Sequence, residues 1–78
     1  MKKDLTGRIE VNPEILCGKP VIRGTRIPVY LILDLIEEGL SFDKIIKEYP
    51  QLKKDDIKAA IEYASLILKH EEAHGYGA

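Results

Sequence analysis

Two histidines and a glutamate near the end of the chain are the residues whose spacing could support catalysis. The run His70-Glu71-Glu72-Ala73-His74 matches the pattern H-E-x-x-H, in which two imidazoles one helical turn apart bind zinc and the glutamate acts as a general base. No third ligand follows the motif, and a domain of 78 residues offers no cleft to hold substrate and metal together. We therefore expect no catalytic residue, no metal site and no cofactor, and we predict that the protein is not an enzyme.

A second group of chemically useful side chains is cationic and lies in the segment GKPVIRGTRIPV, residues 18–29. Glycines allow positive φ, prolines fix φ, and Thr25 can bond its own backbone, so the segment should form a short rigid ribbon that holds Arg23 and Arg26 in defined positions. Lys19 adds a third cation. Two interpretations of Arg26 remain open: it contacts a carboxylate or phosphate of a partner, or it binds groups of its own chain and fixes the ribbon to the first helix.

Charge is unevenly distributed along the sequence. Residues 1–26 carry six cationic side chains against three carboxylates, a net charge of +3, whereas residues 27–78 carry six lysines against ten carboxylates, a net charge of −4. A basic segment of this kind can contact phosphate or an acidic protein. The overall net charge of −1 argues against strong nonspecific binding of nucleic acid.

The expected cellular location follows from the apolar runs and the cysteine content. The longest uncharged run, Ile27–Leu33, is far short of the roughly 20 apolar residues that span a membrane, and no signal-type apolar core follows Met1–Thr6. The single cysteine, Cys17, suits a reducing compartment, and we interpret it as a small buried apolar residue. We expect a cytoplasmic protein without membrane contact.

The elements that must position these residues begin with two short extended segments. Alternating polar and apolar residues predict a strand over Arg8–Val11, which ends at a turn pair. A proline followed by two β-branched residues predicts a second extended piece over Pro20–Ile22. Both fit an edge or a hairpin better than the middle of a sheet.

Three helices account for most of the remaining chain. Periodic apolar residues begin at Val29, and the first helix stops at Gly39. Ser41 is a good N-cap for the second helix, which Pro50 ends. A third, longer helix starts near residue 53 or 54 and runs to about residue 70 or beyond. We predict a mainly α protein with a single domain over residues 1–78, consisting of a short β ribbon over 8–28, a three-helix unit over 29–70 and a frayed tail over 71–78.

The second and third helices have the spacing of a helix-turn-helix, with a four-residue turn between them. At the start of the third helix, the residues predicted to be exposed are Lys53, Lys54, Asp55, Asp56 and Lys58. Lysines there can contact phosphate, but two carboxylates at the tip of a groove-reading helix would meet phosphate badly. The unit is then either the scaffold of a DNA-binding ancestor or a DNA binder that acts as a dimer with its basic ribbon.

Most of the circumference of the third helix is apolar. At 100° per residue, two apolar stripes follow separate sides of it. The first contains Ile57, Ala60, Ile61, Ala64 and Leu68, and the second contains Ala59, Tyr63, Leu66, Ile67 and His70. The other helices cover one stripe, so the second must be covered by the N-terminal ribbon or by another protein. We favour a protein partner, expect a homodimer, and place Ala59, Tyr63, Leu66 and Ile67 in the interface.

The ribbon and the helical segments together resemble a known family. The string GKPVIRGTRIPV, an aliphatic helix, Gly-x-Ser, a Tyr-Pro-x-Leu turn and Asp-Ile-x-x-Ala-x-x-Tyr-Ala resemble the domain of unknown function 433 family over about residues 8–65. Two positions depart from the family pattern. Lys53 stands where Thr or Ser is usual, so the third helix loses an N-cap hydroxyl at a cost of about 1 kcal/mol or a shift of its start. Cys17 stands where Gly is common.

The resemblance implies a homeodomain-like or winged-helix-like three-helix fold and an antitoxin-like role, with a PIN-like ribonuclease toxin as the partner. Our hypothesis is an antitoxin-like regulator of a toxin–antitoxin module that binds this toxin and its own operator DNA. The alternative is a small dimeric DNA-binding transcription regulator without a toxin partner. The candidate residues for contact with partner or nucleic acid are Lys19, Arg23, Thr25, Arg26, Lys53, Lys54 and Lys58.

Overall fold

A computed structural model describes residues 5–75, except for the side chains of Thr6 and of residues 70–75. Two strands are followed by three helices: β1 (Ile9–Glu10), β2 (Val21–Ile22), α1 (Val29–Glu37), α2 (Phe42–Glu48) and α3 (Lys54–Gly75). A single 3₁₀ turn precedes each strand. The prediction of a mainly α protein with three helices and a short N-terminal β ribbon is confirmed.

The end of α3 differs from the predicted boundary. The helix continues to Gly75, so the tail predicted from residue 71 is helical over 71–75, and residues 76–78 lie outside the described part of the chain. Within residues 5–75, none of the helices has the length and apolarity needed to cross a bilayer.

The β ribbon consists of the antiparallel strands β1 and β2, and the turn after β2 leads into α1. Ile9 pairs with Ile22 and Glu10 with Val21. The Thr25 hydroxyl donates to the Ile22 carbonyl at 2.7 Å and accepts the Ile27 N–H at 3.0 Å, as its position in the turn predicted. Gly24 has a φ of +81°, a value that glycine adopts without strain. The turn is therefore fixed from within by one hydroxyl and one glycine.

The helices begin and end where their capping residues predict. Gly39, with a φ of +96°, follows the end of α1. The Ser41 hydroxyl caps α2 by accepting the Lys44 N–H at 3.2 Å. At α3, where the N-cap position holds Lys53, the Asp56 carboxylate accepts the Lys53 N–H at 2.9 Å. This bond is one half of a capping box. The Asp56 N–H, which an N-cap hydroxyl would bind, donates to the Lys53 carbonyl at 2.9 Å instead.

The core lies between the ribbon, α1, α2 and the first two turns of α3. Its largest fully buried side chains are Val21, Ile22, Ile32, Ile45, Leu52 and Ile57. An N-terminal segment, Leu5–Glu10, packs against α3 and contributes the buried side chains of Leu5 and Ile9. The Leu5 N–H also donates to Glu62 Oε1 at 2.9 Å. This segment of the chain itself therefore covers part of the second apolar side of α3.

Coverage of α3 stops about halfway along the helix. Its 22 residues span about 33 Å, whereas α1 and α2 have nine and seven residues. Ala59 is fully buried in the core, so its predicted place in an interface is corrected. Ile61 and Leu68, expected beneath the other helices, are 40% and 59% exposed. α1 and α2 cover only part of the side of α3 that carries Ile61 and Leu68, so these apolar side chains stay in contact with solvent.

Candidate functional site

The two arginines of the ribbon have different surroundings. Arg23 donates from Nε to the Gly7 carbonyl at 2.9 Å and from Nη2 to the Ile9 carbonyl at 3.3 Å. It therefore joins the ribbon to the N-terminal segment. Arg26 is exposed and has no hydrogen-bond or ion-pair partner among the side chains and backbone groups that the structure describes. Arg23 thus has an internal role, although it holds the N-terminal segment and not the first helix, which was the contact considered for Arg26.

Arg26 lines an open groove of about 720 Å³ between the ribbon turn and the turn that joins α2 to α3. Glu10 and Glu48 line the same groove. Two carboxylates beside one guanidinium reduce the positive potential there, because like charges of the ligand and the groove repel each other. The groove is consequently a poor site for a free phosphate, although Arg26 itself is available for contact.

Lys19 lies at the start of the ribbon, apart from Arg26. Its Nζ is 5.3 Å from the centroid of the Tyr30 ring, within the distance of a cation–π interaction. This contact holds the ammonium group beside the first turn of α1. The Thr25 hydroxyl is engaged by the backbone on both sides, so its observed role is to shape the turn.

The start of α3 carries three exposed lysines and two acidic residues with different environments. Lys53, Lys54 and Lys58 are exposed, and the Lys54 ammonium lies 3.7 Å from Asp43 in a solvent-exposed pair. Asp56, which we expected on the surface, is only 6% exposed. The correction has a physical cause, because both of its carboxylate oxygens are used within the chain.

Arg8 forms an ion pair with Asp56. No sequence pattern indicated this role for Arg8. Its Nη1 donates to Asp56 Oδ1 at 2.9 Å, and its Nη2 lies 3.6 Å from Asp55 Oδ2. Arg8 and Asp56 are 48 residues apart in the sequence, so no local motif could have indicated their contact. The two carboxylates at the tip of α3 are therefore partly neutralised by one arginine, which lowers their repulsion for phosphate.

An apolar depression of the surface lies between α1 and α3. We define the α1–α3 groove by Tyr30 and Leu33 of α1 and by Tyr63, Ala64, Ile67 and Leu68 of α3. Its volume is about 410 Å³, and Lys19 and Pro20 border it. A second depression of about 430 Å³ adjoins it through Leu33, Ala64 and Leu68 and extends to Ile61 and Lys69.

The predicted interface residues are separated by this geometry. Tyr63 and Ile67 line the α1–α3 groove. Leu66 is 50% exposed but lies on another side of the helix, and Ala59 belongs to the core. Two of the four predicted residues thus share one surface, and Tyr30, Leu33 and Leu68 join them although the sequence analysis did not place these three in an interface.

The remaining candidates for chemistry do not form a site in the described residues. The side chains of the H-E-x-x-H motif at 70–74 lie outside the described part of the structure, where only the helical backbone is given. Among the residues that are described, no group of three or more His, Cys, Asp or Glu side chains could hold a metal ion. Cys17 is exposed, not buried as we expected, because it lies in a surface turn with a φ of 58°.

Comparison with known proteins agrees with the sequence resemblance. The family model described as "Protein of unknown function (DUF433)" matches residues 9–64. A relative called "Uncharacterized protein y4eO" from Sinorhizobium fredii is 40% identical over 53 residues, which are 68% of this chain and 24% of the relative. This chain therefore spans about a quarter of that protein's length.

A solved structure shares the fold. The crystal structure of a DUF433 member protein from Anabaena variabilis superposes with a TM-score of 0.74 at 27% sequence identity. The match covers 86% of this chain and 66% of the other, so this chain spans slightly less than two thirds of its structural neighbour. With the family model matching most of its length, the chain belongs to the DUF433 family of proteins of unknown function.

Proposed function

We propose that the protein is an antitoxin-like regulator that binds a PIN-like ribonuclease toxin directly and masks its activity. The observation that carries the proposal is the exposed α1–α3 groove. Tyr30, Ile67 and Leu68 are each 45–59% exposed although they adjoin one another. Contiguous apolar surface of this kind is typical of a protein–protein contact site, because its burial removes apolar area from water.

Binding of operator DNA is the second part of the proposal. It is supported by the exposure of Lys53, Lys54 and Lys58 at the start of α3, the helix that enters the major groove in helix-turn-helix proteins. Arg8 offsets the neighbouring Asp55 and Asp56. The same lysines support the alternative function, a dimeric DNA-binding regulator without a toxin partner. In either case the expected homodimer would use the side of α3 that carries Leu66.

The direct test is co-expression with a PIN-like ribonuclease encoded by a neighbouring reading frame. We expect a complex that survives size-exclusion chromatography and an RNA cleavage rate that falls as the regulator is added. Leu68→Glu should weaken inhibition at least about tenfold, because burying an unpaired carboxylate costs several kcal/mol. Lys44→Glu, a charge reversal at an exposed position of α2 outside the groove, is the matched control and should leave inhibition unchanged.

DNA binding is measured separately, by fluorescence anisotropy with duplexes from the region upstream of the gene. Replacing Lys53, Lys54 and Lys58 by alanine should weaken binding. It should also lower the slope of log K against log[salt] by the amount expected for the loss of about three phosphate contacts. If RNA cleavage is unaffected by the regulator while a specific duplex is bound, the alternative function replaces the proposed one. If neither ligand is bound, both functions are refuted.

A further inference from the structure

Among the side chains that the structure describes, the α1–α3 groove and the adjoining depression are apolar with positive charge at their borders. Lys19 lines the first and Lys69 lines the second, and no aspartate or glutamate of the described residues lines either of them. This sign is opposite to the net charge of the chain, which is −1. Because of this local positive charge, a partner that covers the surface is expected to carry negative charge.

We propose that this surface binds an acidic amphipathic α-helix of a partner protein, with apolar side chains facing the groove and carboxylates facing Lys19 and Lys69. The inference rests on the proposed function, since it specifies the chemistry of the segment through which the toxin is held.

The shape of the surface favours a helix as the occupant. Two helices form its walls, and along α3 it extends from Ile61 to Leu68, a rise of about 10 Å or two helical turns. A docked helix presents residues i, i+3, i+4 and i+7 over the same length. Ala64 lines both depressions, and its small side chain would permit close approach of a docked helix.

The lysines at the borders would determine which helices bind. The Lys19 ammonium is held 5.3 Å from the Tyr30 ring centroid, and Lys69 lies one residue beyond Leu68 on α3. Carboxylates flanking the apolar residues of a docked helix can reach such exposed ammonium groups. Each exposed ion pair changes affinity by only about two- to fivefold, so the two together should give a difference of about tenfold between acidic and basic helices.

The experiment uses two synthetic peptides of about 14 residues with leucines at i, i+3, i+4 and i+7 and a fluorescein label. One peptide carries glutamates beside the leucines and the other carries lysines at the same positions. Fluorescence anisotropy with the full-length protein should show about tenfold tighter binding of the acidic peptide. The preference should shrink when NaCl is raised from about 0.05 M to about 1 M, because salt screens exposed charges.

Variants distinguish this site from nonspecific binding. The double variant Lys19→Glu and Lys69→Glu should reverse the preference, whereas the double variant Lys44→Glu and Lys47→Glu, on α2 outside the groove, should preserve it. Leu68→Glu should weaken binding of the acidic peptide at least about tenfold. Circular dichroism spectra that match the parent protein establish that each variant is folded.

Three results would overturn the inference: equal affinity for both peptides, a preference that survives reversal of Lys19 and Lys69, or binding of neither peptide. If neither binds and the protein sediments as a dimer that Leu68→Glu dissociates, a second copy of this chain is the occupant. Failure of the proposed function is separate, because a toxin that is neither bound nor inhibited leaves the peptide preference intact.

Discussion

Removal of Arg8 should destabilise the protein more than removal of any exposed lysine. The Arg8 guanidinium donates to Asp56 at 2.9 Å, and the Asp56 side chain is only 9% exposed. In Arg8→Ala the carboxylate keeps the Lys53 N–H as a partner but loses its cation. A buried carboxylate without its cation is disfavoured, because water cannot replace the lost interaction.

The magnitude follows from the exposure of the two side chains. A hydrogen bond to a charged group contributes about 1.5–3 kcal/mol. The Arg8 side chain is 37% exposed, so solvent screening places the expected loss near the lower part of this range, at about 2 kcal/mol. For a domain of this size a change of about 2 kcal/mol lowers the midpoint of thermal unfolding by roughly 8–16 °C.

The assay is thermal and urea unfolding followed by circular dichroism at 222 nm, with Lys54→Ala as the control. The Lys54–Asp43 pair is also an ion pair, at 3.7 Å, but its side chains are 65% and 84% exposed. Its loss should change the free energy of unfolding by less than about 0.5 kcal/mol. Asp56→Ala should cost about 1 kcal/mol more than Arg8→Ala, because it also removes the bond to the Lys53 N–H.

A double-mutant cycle between Arg8→Ala and Asp56→Asn isolates the ion pair, since asparagine retains an acceptor for the backbone. We expect a coupling energy of at least about 1 kcal/mol. If Arg8→Ala unfolds within about 0.5 kcal/mol of the parent, as Lys54→Ala is expected to do, the argument from the burial of Asp56 is refuted.

Three further predictions concern the ribbon and the helix caps. Arg23→Ala should lower the free energy of unfolding by about 1–2 kcal/mol, because it removes two hydrogen bonds to backbone carbonyls. Arg26→Ala should change this free energy by less than about 0.5 kcal/mol. Equal effects of the two variants in urea unfolding would contradict the assigned roles. Ser41→Ala should cost about 1 kcal/mol by removing the α2 cap, and an unchanged unfolding midpoint would show that the cap contributes little. Gly24→Ala should cost about 1 kcal/mol through backbone strain at a φ of +81°, and calorimetry that finds a stabilised variant would refute this reason.

The helix boundaries were predictable because single residues determine them. Pro28 and Ser41 precede α1 and α2, and Gly39 follows α1, as their backbone preferences require. These effects act within one turn of the chain and need no knowledge of the rest of the fold. The strands were found for the same reason, although each is shorter than predicted.

The sides of α3 were less predictable, because a helical pattern does not say which apolar stripe faces the core. The N-terminal segment packs on α3 and buries Ala59, whereas Leu68 of the other stripe remains exposed. The pairing of Arg8 with Asp56 could not be predicted from the sequence either. Three arginines precede the helices in the sequence, and only the packing of the whole chain decides which of them reaches the carboxylate.

The long-range bonds of the N-terminal segment also have a consequence during synthesis on the ribosome. Its two anchors, from Leu5 to Glu62 and from Arg8 to Asp56, join positions 57 and 48 residues apart. At about 5–20 residues per second, the segment emerges several seconds before α3 exists. It therefore cannot form these two bonds until α3 has been synthesised, and until then the apolar side chains of Leu5 and Ile9 lack the contacts with α3.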